Sequence, residues 1–301
     1  MFLNRTVESG RLFRAAIFCG VATMACAASA HFGVAKNNPQ NEVSAPHVDV
    51  QLLTEQKAIQ RGHSLWVGLQ FQLPSGWHVY WQNPGDSGEP PTVKWNLPTG
   101  LHAGDLQWPA PHRLESPSLV DYGYQDGVLL LAPIRVDSTV SPATAVTLQA
   151  DVRYLACREI CVPGKANVAL NLPVQSGSAT LDSNAHALFE KTRAQLPKPT
   201  PAAWRIRAQS MGNAFVLSIA TGKSEREGVF FPLDPGEMDN AAPQKASPTT
   251  AGIDIRLQKS DQLLKPIAQL RGVVEFGGSR AYEINAPVAE SGAQGPSHQS
   301  Q

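Results

Sequence analysis

Between residues 48 and 288 the chain is written almost entirely in short runs that alternate apolar and polar residues, cut by Gly, Pro, Asn and Asp. Alternation with a period of two puts every second side chain on one face, so such runs are strands with one buried side. The clearest is residues 64–73, in which Leu65, Val67, Leu69, Phe71 and Leu73 share a face. Residues 77–81 read as another strand, which Asn83-Pro84-Gly85-Asp86-Ser87-Gly88 is expected to stop as a turn. Further strands are predicted over residues 92–95, 128–136, 147–156 and 166–174, with prolines at strand ends, where no ladder hydrogen bond is lost. The helical crossovers of a doubly wound α/β fold are missing, so the pattern predicts an all-β chain of antiparallel sandwiches.

The punctuation divides the chain. A first β domain is expected over residues 47–176, and a junction over 177–203. In that junction Ser183 is predicted to cap a short helix with Ala185, Leu188, Phe189 and Thr192 on one face. Pro197-Lys198-Pro199-Thr200-Pro201 then forms a stiff extended linker. A second β-rich domain is expected over 204–288. There residues 204–209 and 214–220 flank a Met-Gly-Asn turn, and 271–276 and 280–284 flank the hairpin signal Gly277-Gly278. Residues 236–250 read as a long loop, and 289–301 as a disordered tail.

The first thirty residues read as a secretory signal. Arg5, Arg11 and Arg14 make a positive start, residues 15–27 are apolar, and Ala28-Ser29-Ala30 offers a small-residue cleavage site. The apolar stretch is shorter than the roughly 20 residues of a spanning helix. Thr23-Met24-Ala25 is a poor lipobox before Cys26, so simple cleavage is preferred to lipidation. Residues 31–46 are polar and aperiodic, a flexible leader. Cleavage takes the formal charge from +0 to −2 through loss of three Arg and of Glu8. That balance has no basic stripe for nucleic acid, and no later segment is apolar enough to span a bilayer. The expected location is an oxidising exported compartment.

Cleavage also removes Cys19 and Cys26 and leaves Cys157 and Cys161 as the only cysteines. Two are too few to build a disulfide scaffold, so packing must hold the fold. Four residues along one strand span about 13 Å, whereas a disulfide needs Cα atoms roughly 4.4–6.8 Å apart. A bonded pair therefore requires the strand to end near Ala156 and residues 157–161 to curl into a loop. As a staple the bond contributes about 2 kcal/mol in the chain-entropy model, against about 3 for a fifteen-residue loop. A local bond of this kind is either a weak structural staple or a redox couple, and the residues alone leave both open. Arg158 and Lys165 would lower a thiol pKa, and Glu159 opposes them. A metal site is a third option, but it would need His78, His102 and His112 to converge on the cysteines by folding. Trp77, Tyr80, Trp81, Trp95 and Trp108 could form a sugar platform, although core aromatics are the commoner outcome. Asp86 and Asp121 read as turn formers, with no partner for acid–base work.

Four segments in order then carry a resemblance. They are residues 76–88 (Gly-Trp-His-Val-Tyr-Trp-Gln-Asn-Pro-Gly-Asp-Ser-Gly), Trp108-Pro109-Ala110-Pro111, Tyr122-Gly123-Tyr124, and Cys157 through Pro163. Together they resemble the amino-terminal periplasmic domain of DsbD- and ScsB-type thiol:disulfide interchange proteins. Leu270-Arg271-Gly272-Val273-Val274 and Ala281-Tyr282-Glu283-Ile284 resemble the β-domain that follows it in the ScsB-like branch. The resemblance implies two immunoglobulin-like antiparallel β-sandwich domains joined by the short helix and Pro-rich linker. It implies that Cys157 and Cys161 are the redox couple, with Tyr80 lining the site. Asp121, Tyr122 and Tyr124 would lie in a loop that caps the disulfide. No cofactor or metal is implied. Partners would be thioredoxin-fold or membrane-bound thiol–disulfide proteins in the periplasm, with a non-catalytic binding or chaperone-like sandwich as the alternative. The chain departs from the best-known members in having only three residues between the cysteines. It also lacks a clear phenylalanine in the cap, leaving Leu119, Tyr122 or Tyr124 to serve. The membrane and terminal thioredoxin domains of the family are not seen, so the electron source is expected on a separate chain.

Overall fold

The computed structural model describes residues 48–116, 118–141, 145–277 and 280–290. The signal sequence, the leader before His47 and the tail beyond Glu290 lie outside the described residues. Within them the order is β1 (Asp49–Thr54), β2 (Ile59–Gln60), β3 (Ser64–Gln72), β4 (His78–Gly85), β5 (Thr92–Asn96), β6 (Leu101–Ala103), β7 (His112–Glu115), β8 (Val120–Gln125), β9 (Gly127–Val136), β10 (Ala145–Cys157) and β11 (Cys161–Gln175). Helix α1 (Ser183–Gln195) follows. Then come β12 (Arg205–Met211), β13 (Ala214–Ala220), β14 (Gly228–Pro232), β15 (Lys245–Pro248), β16 (Gly252–Gln258), β17 (Gln269–Phe276) and β18 (Arg280–Glu290). The fold is all-β and immunoglobulin-like, as expected.

The first sandwich faces a sheet of order β1-β3-β9-β6 against one of order β2-β11-β10-β4-β8-β7, with β5 also paired to β10. Leu65, Val67, Leu69 and Phe71 of β3 meet Leu130, Ala132 and Ile134 of β9 and Val79 and Trp81 of β4 in one buried cluster. Strand β9 is apolar almost throughout because both its faces are covered. Its even positions enter the sandwich, while Leu129 and Leu131 pack with Phe189 of α1 on the outer face.

The helix cap differs by one residue from the prediction: Asp182, not Ser183, accepts from the backbone N–H groups of Asn184 and Ala185, both at 3.1 Å. Arg193 in the last turn grips buried Glu55 with two hydrogen bonds of 2.6 and 2.9 Å, which ties the helix to the end of β1. Burial pushes the Glu55 carboxyl up, but the Arg193 and His186 hydrogen bonds outweigh it and hold the pKa below its ordinary value.

Three further expectations are corrected. Residues 83–85 do not stop a strand: β4 runs on to Gly85, with an irregular register against β8 between Tyr80 and Gly85 that absorbs the proline and glycine. Residues 236–250 are not all loop, because Lys245–Pro248 forms the edge strand β15. The last strand continues two residues past Val288 to Glu290. The proline-rich segment is extended and docked: Lys198 donates to the Ala281 carbonyl and accepts from the Glu283 N–H, each at 2.9 Å.

The second β unit is a single path, β14-β17-β18-β12-β13-β16-β15, folded so that Phe230, Val274, Phe276 and Ile284 meet Leu217, Ile255 and Leu257. Its core is not sealed off from the first. Phe231, Val273 and Ala281 belong to the same buried cluster as Trp81 and Tyr122. The Tyr122 and Phe231 rings meet edge-on at 5.4 Å, and Trp81 meets Phe231 at 6.4 Å. Edge-on contacts of this kind add about 0.5–1.5 kcal/mol each beyond area burial.

In the connection between β14 and β15, Glu237 is buried, and its Oε2 has no hydrogen-bond partner among the described residues. Burial pushes its pKa up to about 7, with Asp234 adding to the shift and Arg271 opposing it. The folded value lies above the ordinary 4.5, so the group's contribution to stability is full below pH 4.5 and is lost as pH rises through about 7. Glu237→Gln is therefore expected to raise Tm at pH 8 and to leave it nearly unchanged at pH 5. Equal shifts at both pH values in a thermal scan would show that this carboxyl does not titrate on folding.

Candidate functional site

Strands β10 and β11 form one long hairpin, paired from Ala145↔Pro173 to Cys157↔Cys161. The two cysteines are its last pair, joined by a disulfide with Cα atoms 4.1 Å apart. Only Arg158, Glu159 and Ile160 connect the strands, and the Arg158 N–H donates to the Ile160 carbonyl at 3.1 Å. The strand thus ends and the chain curls where the spacing required.

The two sulfurs sit in different surroundings because their strands do. Strand β10 is internal, with β11 on one side and β4 and β5 on the other; Cys157 lies opposite His78 of β4 and is 2 % exposed. Among the described residues, strand β11 has β10 on one side and, on the other, only β2 at Val174 and Gln175. Cys161, at its start, is exposed, and so is the neighbouring Ile160.

Alternation along β4 supplies the rest of the site. Val79 and Trp81 point into the sandwich, which puts His78 and Tyr80 on the other face, their rings edge-on at 5.2 Å. The Tyr80 hydroxyl donates to Cys157 Sγ at 2.9 Å and lies 3.6 Å from Cys161 Sγ. Burial pushes the Tyr80 phenol above its ordinary pKa; a Ser87 hydrogen bond pulls it down and Asp121 pushes it up again. The phenol therefore stays protonated and remains a donor. Burial pushes the His78 imidazole down, against the pull of Asp121, so the ring is neutral at pH 7. Its buried Nε2 has no hydrogen-bond partner among the described residues.

A turn covers Tyr80, which is fully buried. The Ser87 N–H donates to Asp121 at 2.9 Å, and its hydroxyl lies 2.9 and 3.0 Å from the two oxygens of that carboxylate. This places Gly88 flat on the phenol. Burial pushes the Asp121 carboxyl above its ordinary pKa; the Ser87 bonds and His78 draw it down, and Asp86 adds to the rise. On the solvent side the Arg158 guanidinium stacks over Trp77, 5.6 Å from the ring centroid.

Of the residues singled out in the sequence, the structure brings Cys157, Cys161 and Tyr80 into contact and places Asp121 one residue behind them, through Ser87. Tyr122 and Tyr124 do not cap the pair. They lie on β8, a buried strand that the sequence pattern hides, and their alternation turns them into the core. The Tyr122 hydroxyl donates to Asn240 at 2.9 Å and the Tyr124 hydroxyl to the Pro109 carbonyl at 2.7 Å. Leu119 is exposed just before β8. Residues 86–88, a plain turn by sequence, cover the Tyr80 ring, while Cys161 stays exposed. Ser87 and Gly88 line the site but are missed by sequence reasoning, and His78 enters there only as a metal ligand. The signal for His78 is present, since it stands two residues from Tyr80 on the same face.

Of the histidines of the metal option only His78 comes beside the cysteines. His102 is on β6 in the opposite sheet, 3.1 Å from Asp137, and His112 is on β7, two strands from β4. The described residues that could hold an ion are Glu55, His186 and Glu190, but Arg193 already binds both carboxylates. Trp77, Tyr80 and Trp81 are buried and Trp95 and Trp108 pack against the core, so the aromatics form no platform.

Residues 49–173 match the family described as "Thiol:disulfide interchange protein DsbD, N-terminal". This stretch is a DsbD-type N-terminal domain. The N-terminal periplasmic domain of ScsB from Proteus mirabilis superposes with a TM-score of 0.59 at 17 % identity, over 80 % of this chain and 92 % of that one. The shared fold therefore extends past the DsbD-type domain into the second β unit. The Escherichia coli chaperone DraB aligns over 79 % of this chain and 97 % of its own at 9 % identity, but with a TM-score of only 0.24. No curated protein matches. The DsbD-type domain is thus a thiol:disulfide interchange domain carrying the Cys157–Cys161 pair, and its family interacts with other thiol–disulfide proteins. Among the described residues no helix is long and apolar enough to cross a membrane.

A side chain on Gly88 would collide with the phenol: a Cβ there lies 2.1 Å from Tyr80 Cζ, and φ is +81°. Gly88→Ala is expected to cost about 1–3 kcal/mol of stability and to expose Tyr80. Urea denaturation and solvent perturbation of tyrosine absorbance check this, and unchanged values in both would mean that the turn does not hold the ring.

Proposed function

We propose that this protein is a periplasmic thiol–disulfide exchange module that passes electrons between exported redox partners through Cys157 and Cys161. The observation that carries the reading is the asymmetry of the pair: one cysteine is exposed, and the other is buried with its sulfur against a phenol donor. The staple reading draws less support, because the hairpin is already paired along its whole length without the bond.

Cys161, the exposed cysteine of the pair, carries the sulfur that a partner thiolate reaches. The attack forms a bond between the partner's sulfur and Cys161 and breaks the Cys157–Cys161 bond. The electron pair of the broken bond leaves on Cys157 Sγ. There the Tyr80 O–H already points at the leaving sulfur, and a donor bond to an anion is stronger than one to a neutral disulfide. The partner's second thiolate then attacks its own bonded sulfur and releases Cys161 as a thiolate. This domain is then a dithiol and the partner a disulfide. In reverse, the Cys161 thiolate attacks an oxidised partner and returns the electrons. Ile160 gives the rim of the site an apolar contact.

The role of each sulfur is tested by trapping with an oxidised thioredoxin-fold protein. Cys157→Ser keeps the exposed thiol and is expected to accumulate the mixed disulfide, while Cys161→Ser keeps the buried thiol and captures much less. If neither variant captures a partner, and the wild-type midpoint lies below about −300 mV, the pair is structural. Tyr80→Phe removes the donor to Cys157. It is expected to make the disulfide harder to reduce by about 30–60 mV, which corresponds to about 1.5–3 kcal/mol for a hydrogen bond to a charged group. An unchanged midpoint in a glutathione titration would remove Tyr80 from the mechanism.

A further inference from the structure

Buried amides tie the second β unit to the turn that covers Tyr80. Asn240, between β14 and β15, donates from Nδ2 to Asp86 Oδ1 at 2.9 Å, and its Oδ1 accepts the Tyr122 hydroxyl at 2.9 Å. Asn83, at the far end of β4, donates to the Pro232 carbonyl at 2.8 Å. Asn83, Tyr122 and Asn240 are all buried. Asn240 is itself held by Asp239, whose Oδ1 accepts from the N–H groups of Ala241 and Ala242, both at 3.1 Å.

Asp86 is the hinge of this arrangement. Its second oxygen accepts the Val120 N–H at 2.7 Å and its own N–H donates to the Val120 carbonyl at 3.1 Å. Gly85, just before it, has φ +91° and lies so close to β8 that a Cβ would meet the Val120 carbonyl at 2.4 Å. From this anchored point the chain passes through Ser87, bonded to Asp121, to Gly88 on the Tyr80 ring, and Tyr80 donates to Cys157. The cover of the Tyr80 donor is therefore held at its root by a residue of the other β unit.

We propose that the second β unit is a positioning element of the redox pair and acts through Asn240, which holds the Asp86–Gly88 turn and with it the Tyr80 donor. This inference rests on the exchange reading above and assigns the second unit a part in it. Asn240 touches neither sulfur and is a positioning residue.

The test uses the full chain and reads the equilibrium constant for reduction by dithiothreitol. Asn240→Asp puts a carboxylate against that of Asp86 and removes the N–H donor. It is expected to lower the constant about three- to tenfold, in the same direction as Tyr80→Phe. The exchanged pair Asp86→Asn with Asn240→Asp restores one donor and one acceptor at the same net charge, and is expected to return the constant to the wild-type value. If Asn240→Asp alone does not fold, Asn240→Ala carries the same expectation without an added charge. Glu225→Gln, which breaks the buried ion pair with Arg280 elsewhere in the second unit, should lower Tm and leave the constant unchanged. The inference is overturned if Asn240→Asp reduces like wild type, if the exchanged pair does not restore it, or if Glu225→Gln shifts the constant equally. A wild-type pair that neither dithiothreitol nor a thioredoxin-fold dithiol reduces overturns the exchange reading itself.

Discussion

The hydrogen bond from Tyr80 to Cys157 Sγ fixes more of this molecule than its 2.9 Å length suggests. A phenol can reach that sulfur only if β4 lies directly beside β10, in the register that sets His78 opposite Cys157. The same register turns Val79 and Trp81 inward, where they close the first sandwich and, through Trp81 and Phe231, join it to the second unit. A slip of one residue would exchange the two faces of β4, turning His78 and Tyr80 into the sandwich and Val79 and Trp81 toward the cysteines. Redox geometry and core packing are thus two consequences of one strand alignment, and hydrophobic burial does more than the hydrogen bond to hold it.

The difference between the two sulfurs has an equally simple origin. In strands, an i, i+4 pair can close only across a tight turn, and a tight turn between long strands makes its two residues neighbours on adjacent strands. One of those strands is internal and the other nearly free on its outer side, so one cysteine is covered and the other is not. No special loop is needed to create a leaving sulfur and an attacked sulfur; the order of strands in the sheet does it. The Tyr80 donor adds a preference for charge on the covered sulfur, which burial alone would oppose.

Much of this is legible in the sequence, and the failures have physical causes. The alternation over residues 64–73 and the run over 128–136 mark strands because their apolar faces are large and regular. The loop at Cys157 and Cys161 follows from strand rise against disulfide reach. Residues 83–85 mislead because Asn-Pro-Gly is a strong local turn signal, whereas pairing with β8 holds the backbone extended through a bulge. The resemblance puts Tyr122 and Tyr124 in a capping loop, and the pattern does not correct it because a central glycine and flanking polar residues hide a short strand. In place, the two tyrosines alternate inward and each hydroxyl finds a buried acceptor. Asn83 and Asn240 carry no signal at all. An asparagine in a loop reads as a turn former, and its meaning here lies in partners more than a hundred residues away.

Those distant amides bear on why the two β units share a core. Aromatic contact between Trp81, Tyr122 and Phe231 favours contact between the units but is tolerant of small rotations, since apolar packing is nondirectional. The hydrogen bonds of Asn83 and Asn240 are directional and buried, and losing either leaves a polar group without a partner. Their net contribution to stability is small beside that of the apolar area around them. Their effect is to select one orientation from the several that packing alone would allow. The orientation selected holds the Asp86 turn against β8 and keeps Gly88 on the phenol. A junction of apolar contacts pinned by a few buried amides is therefore suited to keeping one hydroxyl aimed at one sulfur.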